Sequence, residues 1–216
     1  MGIREDFQRP RTERENAARR AEILDAAETL ILQSRNQKFS ISELAKRIGV
    51  SQSTIFLHFR NREELVTTLY IRIGRAFFAS FLGRLYKGIP DQAFCEAFID
   101  TAQEQPGFRI MRPMVMRVVE ECLNYTYIHE AVVEIYAYRT KAASEVDEIL
   151  GLRPGQGGQL MKGFVNLMCG ALQVDIHTLM ATDDLPEDVA KAIHASEFRS
   201  AFLSGADLLI KGVRQA

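Results

Sequence analysis

Apolar residues recur at helical spacing along almost the whole chain. Ile23, Leu24, Ala27, Leu30 and Ile31 fall at i, i+1, i+4, i+7 and i+8 and line one face of a helix. The pattern predicts a first helix from about Arg14 to Gln33, ended by the polar stretch from Ser34 to Lys38, where Asn36 suits a left-handed residue. No segment alternates with the period of a strand, and no Asn-Gly or Asp-Gly pair marks a hairpin. The expected fold class is all-α.

Strong boundaries follow. Ser40-Ile41-Ser42-Glu43 reads as a capping box, opening a short helix to about Arg47 or Ile48. Gly49-Val50-Ser51 breaks it, and Ser51 can cap the next helix, Gln52 to about His58. Asn61-Arg62-Glu63-Glu64 is a second box and opens a long helix to about Tyr86, stopped by Gly88 and Pro90. Further helices are expected from Pro90 to before Pro106, from Gly107 to Leu123 with a kink or reset at Pro113, and from Ile128 to Leu150. A loop from Gly151 to Gly158 precedes an apolar helix over 159–180. A capped turn from Thr182 to Pro186 then leads into a last helix running almost to the C-terminus. The organisation reads as an N-terminal three-helix domain with its arm, 1–62, and a larger helical domain, 63–216.

Residues 40–59, SISELAKRIGVSQSTIFLHF, carry the clearest chemistry. Two short helices joined by a tight glycine-containing turn form a helix-turn-helix. Ala45 is small enough for close helix crossing, and Gly49 permits a positive φ. Leu44, Val50, Ile55 and Phe59 face a miniature core, which leaves Gln52, Ser53, Thr54 and Leu57 pointing outward. An amide such as that of Gln52 pairs with a base edge, usually adenine, in the major groove. Ser53 and Thr54 are short donors suited to a base or a phosphate, and helix N-termini favour phosphate. His58 has two readings, a structural hydrogen-bonder or a group lying against the DNA backbone.

Charge distribution adds an N-terminal element. The first twenty residues carry arginine at 4, 9, 11, 14, 19 and 20 against acids at 5, 6, 13 and 15, a mildly basic arm in a chain of net charge −1. That arm has no apolar h-region of a secretory signal, and no apolar run reaches the length of a membrane span. A cytoplasmic protein with no membrane partner is expected. Cys95, Cys122 and Cys169 are odd in number and widely spaced, which fits buried thiols in a reduced compartment; a redox-sensing thiol is the alternative.

The stretch from about Arg20 to Leu69 resembles the TetR/AcrR (tetracycline-repressor-like) family of transcriptional regulators. The resemblance is carried by ILDAA, by S-I-S-E-L-A-x-x-I-G-V-S, by S-T-I-F-x-H-F and by N-R-E-E-L. Over the remainder it rests only on length and helical character. It implies a three-helix DNA-binding domain, a connecting helix beginning at Arg62, and a larger domain that dimerises and binds ligands. Mapped onto this chain, Ser51 to Ser53 open the recognition helix, Gln52 and Ser53 fall where the family contacts bases, and Thr54 and His58 fall at phosphate-directed positions. Arg62 falls where the family places a phosphate-binding lysine. Two departures stand out: Phe56 replaces a tyrosine whose hydroxyl is phosphate-directed, and Arg60 stands where proline is common and adds a cation.

The second domain offers wide apolar faces. The 159–180 helix and the last helix are the candidates for an isologous four-helix interface in a homodimer; filling the monomer core is the alternative. Gly163, Gly170 and Ala171 would admit another helix closely. A hydrophobic or planar effector would be lined by Phe78, Phe81, Phe98, Met114, Tyr125 and Phe164, and oriented by Arg117, Glu120, Asn124, Asn166 and His177.

Catalysis finds no support. His58, His129, His177 and His194 form no HExxH, no G-x-S-x-G occurs, and the glycines at 155–158 are not followed by the Lys-Ser/Thr of a P-loop. No metal site and no cofactor is expected. The leading reading is a ligand-released repressor acting as a homodimer on a palindromic, double-stranded operator, with activation left open. The alternatives are a helix-turn-helix DNA binder without an effector, architectural or associated with cell division, and an enzyme or non-DNA interaction module.

Overall fold

The computed structural model describes residues 13–33, 40–122, 126–174 and 198–215, and among these it contains nine helices and no strand. The chain divides into two units, Met1–Leu69 and Tyr70–Ala216.

The first unit holds α1 (Glu13–Gln33), α2 (Ile41–Arg47), α3 (Gln52–Phe56) and the opening of α4 (Arg62–Leu82). Helix α1 buries Ile23, Leu24, Ala27 and Ile31 of the stripe anticipated from its periodicity and leaves Leu30 half-buried. Helices of 7 and 5 residues, such as α2 and α3, are too short to persist alone in water. They are held by what they bury: Ile41, Leu44 and Ala45 from α2, Ile55 from α3, and Phe59 just beyond it. Leu65, Val66 and Leu69 of α4 complete this apolar set. Each fully buried side chain of this size contributes roughly 1.5–3 kcal/mol, enough to outweigh a short helix's nucleation cost.

The second unit holds the rest of α4, α5 (Asp91–Glu104), α6 (Pro106–Glu121), α7 (Thr126–Leu150), α8 (Gln156–Val174) and α9 (Phe198–Gln215). Its core is a run of phenylalanines supplied by five helices. Phe77 stacks on Phe108 with centroids 4.1 Å apart, and Phe98 stacks on Phe202 at 5.3 Å. Phe98 also meets Phe77, Phe81 and Phe164 edge-on. Helices α8 and α9 pack tightly on each other: a Cβ added at Gly163 would lie 3.1 Å from Leu209, and one added at Gly205 would lie 2.8 Å from Leu167. The close helix approach expected at Gly163 is therefore made by α9 of the same chain, while Gly170 has open space beside it. Arg214 forks onto Asp91 at 2.6 and 3.0 Å and ties the end of α9 to the start of α5.

Several boundaries differ from expectation for local reasons. Helix α4 ends at Leu82 rather than near Tyr86, because Gly83, Arg84 and Leu85 donate to the carbonyls of Ala79, Phe81 and Leu82 in a tightening turn. Pro113 neither breaks nor restarts α6, which runs through it. Helix α8 begins at Gln156, inside the segment expected to be loop, since the Asp147 carboxylate accepts from the backbone N–H groups of Gly155 and Gly157. The expectation that no run reaches membrane length is corrected by α4, which is long and apolar enough by composition. Its apolar positions are instead spent on protein cores, with Leu65, Val66 and Leu69 buried in one unit and Phe77, Phe78 and Phe81 in the other. Of the N-terminal arm, residues 1–12 lie outside the described residues, as do Asn36, the Thr182–Pro186 turn and the first part of the expected last helix, while Arg14, Arg19 and Arg20 stand on α1.

Candidate nucleic-acid interface

The helix-turn-helix is assembled by caps. Ser40 Oγ accepts from the Glu43 N–H at 3.1 Å, and the Glu43 carboxylate accepts from the Ser40 N–H at 2.8 Å, the complete box expected from the sequence. Those bonds from Ser40 hold the Glu43 carboxyl below its ordinary range. Gly49 takes φ +68°, a conformation that side-chain-bearing residues rarely adopt, and the Val50 N–H then reaches back to the Ala45 carbonyl at 3.0 Å. This turn brings Ser51 to the head of α3, where its Oγ accepts from the Thr54 N–H at 3.1 Å. The Ser51 hydroxyl lies 2.7 Å from that of Ser53 and 2.9 Å from that of Thr54, so the three hydroxyls form one linked group.

Burial separates the two faces of α3 cleanly. Ile55 and Phe59 are 0% and 1% exposed, whereas Leu57 is 80% and Phe56 46% exposed. Ser51, Gln52 and Ser53 are exposed and Thr54 is half-buried. Gln52 thus presents an uncovered amide beside exposed apolar groups, on a helix whose opposite side is anchored. An amide can serve a base edge, and an apolar group a thymine methyl. Val50, expected in the core, is only half-buried.

One anchoring residue was not singled out from the sequence. Arg20 of α1 donates to the backbone carbonyl of His58 and places its guanidinium 4.2 Å from the centroid of the Phe59 ring. It joins the scaffold helix to the chain just past α3. Its only sequence signal was charge, which assigned it to the basic arm. His58 is half-buried and its Nε2 is shielded from solvent.

At the entry to α4, Asn61 Oδ1 accepts from the Glu64 N–H at 2.8 Å, as its capping role requires. The Glu64 carboxylate returns to the Arg60 N–H at 2.6 Å, one residue earlier than the standard box. Arg60 is exposed, and Arg62 is half-buried with Glu63 3.7 Å away.

Residues named for an effector scatter. Phe81, Phe98 and Phe164 are fully buried, and Phe78 and Met114 are nearly so. Arg117 and Glu120 lie on the exposed side of α6. Asn124, Tyr125 and His177 lie outside the described residues. Phe78 and Asn166 are brought together, in the lining of a pocket of about 500 Å³. Burial pushes the Cys95 thiol up to about 12 and raises that of Cys169, the opposite of a reactive thiolate. Among the described residues no cluster of three or more His, Cys, Asp or Glu is placed to hold a metal ion.

The family match falls on this helix-turn-helix. Residues 23–69, from the middle of α1 to the first turns of α4, match the family described as bacterial regulatory proteins, tetR family. The fatty acid metabolism regulator protein of Bacillus subtilis (strain 168) is 23% identical over 157 residues, covering 73% of this chain and 68% of that protein. A structural-genomics crystal structure of a candidate transcriptional regulator from Streptomyces coelicolor A3(2) superposes with a TM-score of 0.45 at 17% identity, covering 91% of this chain and 96% of that one.

Proposed function

We propose that this chain, whose residues 23–69 match the tetR family, is a DNA-binding transcriptional regulator: a cytoplasmic repressor that binds a palindromic operator as a homodimer and releases it on binding an effector. The observation that carries the DNA half is the polarity of α3, with Gln52 uncovered on one side and Ile55 and Phe59 locked on the other. Gln52 and Ser53 read base edges. Thr54, Arg60 and Arg62 meet the phosphate backbone, with Arg62 exchanging Glu63 for phosphate.

Dimerisation follows from the geometry of the target. Two recognition helices reach successive major grooves on one face of DNA when they sit about 34–36 Å apart. Leu208, 71% exposed on α9, lies on the face of that helix turned away from Phe202, Ala206 and Ile210, and supports an α8–α9 interface between copies. An effector that prefers an arrangement with another spacing lowers DNA affinity by its differential binding. Helix α4 is covalently common to both units and is the proposed transmitter.

The test is retention of a labelled duplex from upstream of the chain's own gene, at low salt, against a duplex of the same length and scrambled sequence. Selective retention is expected. No retention of either duplex would end the proposal.

A further inference from the structure

The pocket that contains Phe78 and Asn166 is lined by α6, α7, α8 and the loop before α8, with Phe78 contributed by α4. Its charged lining is of one sign. Arg112, Arg139 and Lys162 border it, and among the described residues no Asp or Glu does. Among the described residues, none of these three head groups makes a salt bridge or a side-chain hydrogen bond, and the Nε of Arg112 is buried without an acceptor. A buried donor left unmade is costly, and three like charges around one hollow repel. The neighbouring groove between α4 and α7 differs: there Arg75 is paired with Glu134 at 2.9 Å, and Glu145 also lines the site.

Nearby phenols do not supply the missing charge. Burial pushes Tyr70 up to about 12 and raises Tyr138 further, although Arg112 and Arg139 both pull the other way. Both phenols stay neutral at physiological pH. The remaining lining includes the apolar groups Phe78 and Met161, both buried, and the ring of Tyr136, 72% exposed at the rim.

We propose that this pocket binds an amphipathic anion, with Arg112, Arg139 and Lys162 taking a carboxylate, sulfonate or phosphate head and Phe78 and Met161 taking an apolar body. The assignment rests on the reading of the second unit as effector-binding and narrows the class of effector. Sequence reasoning missed it because Arg112 and Lys162 lie on different helices, and periodicity along α6 does not say which flanking arginine turns toward the hollow.

Two fluorescent probes that differ only by a sulfonate make the test: 1-anilino-8-naphthalenesulfonate and N-phenyl-1-naphthylamine. Each is titrated into the full chain, into Arg112→Gln, Arg139→Gln and Lys162→Gln, and into Lys211→Gln as a control for overall charge. The sulfonate is expected to saturate at one site per chain and to bind at least about tenfold more tightly than the neutral probe. Each pocket variant is expected to weaken the sulfonate by roughly tenfold and leave the neutral probe unchanged, with Lys211→Gln inert. Equal binding of the two probes, or sulfonate binding indifferent to all three pocket substitutions, overturns the proposal. If Arg112→Gln does not fold, as judged by circular-dichroism melting, the exposed position decides through Lys162→Gln and Lys162→Glu. Operator binding at saturating sulfonate separates the two readings. Arginine-dependent binding without loss of DNA affinity would count against ligand release and leave the anion site standing. Binding that ignores the arginines sinks the site and leaves release to an effector of another class.

Discussion

The guanidinium of Arg20 lies over the ring of Phe59, 4.2 Å from its centroid. The same side chain donates to the carbonyl of His58, so one residue of α1 holds both the backbone and the core side chain that follow α3. A cation–π contact and a charge-assisted hydrogen bond here are together worth about 1–2 kcal/mol. Arg20→Ala is therefore expected to lower stability in urea denaturation by about that much. It should weaken DNA binding at specific and random sequences alike, because it loosens the seat of α3 without touching a base. Unchanged stability would show that the contact is not formed in solution.

The capping box of α2 makes a pH prediction. Glu43 is held below its ordinary value of 4.5 by accepting from Ser40. A carboxyl depressed by folding contributes stability that is present above 4.5 and is lost as pH falls through the lower folded value. Below about pH 4.5 the melting temperature of Glu43→Gln should therefore converge on that of the unaltered chain, and the gap should open as pH rises. A gap independent of pH from 3 to 7 would contradict the assignment. Ser40→Ala should cost about 1 kcal/mol through loss of the cap.

Phe98 is ringed by Phe77, Phe81, Phe164 and Phe202 and is fully buried. Truncation to alanine is expected to cost about 3–5 kcal/mol. The loss belongs to the fold, so Phe98→Leu, which keeps most of the volume, should recover most of it. Equal loss in both variants would point to a role beyond packing. Urea denaturation of the two variants decides.

Legibility in the sequence tracked the distance over which each feature is built. The Ser40–Glu43 box, the Ser51 and Asn61 caps and the Gly49 turn are local, and each was readable from a few adjacent residues. The apolar faces of α1 and α8 were legible from periodicity. Arg20 meets His58 across 38 positions, and nothing near Arg20 announces it. The pocket cations are likewise joined only by tertiary packing. Phe81, Phe98 and Phe164 illustrate the converse: phenylalanines at helical spacing carry the same pattern whether they surround a ligand or each other, and here they surround each other. Pro113 did not reset the start of α6, which runs through it with Met111, Met114 and Val115 buried beside it.

Gln52 and Arg62 should separate in their effects on DNA. Loss of a base-reading amide costs about 1–3 kcal/mol at its own base pair and relaxes specificity there. Loss of a phosphate-binding cation weakens all sequences alike and reduces the slope of log K against log salt by about 1. Binding titrations of Gln52→Ala and Arg62→Ala over a salt series are expected to show the first pattern and the second, respectively. The reverse would exchange the two roles.

The most direct measurement is selection of binding sites from a random duplex pool by the unaltered chain and by Gln52→Ala. The unaltered chain should recover a two-fold symmetric site with half-sites about one helical turn, or a multiple of it, apart. The variant should recover the same site with one position per half-site degenerate. Recovery of no common sequence by the unaltered chain, or of an identical site by the variant, would contradict recognition through the uncovered face of α3.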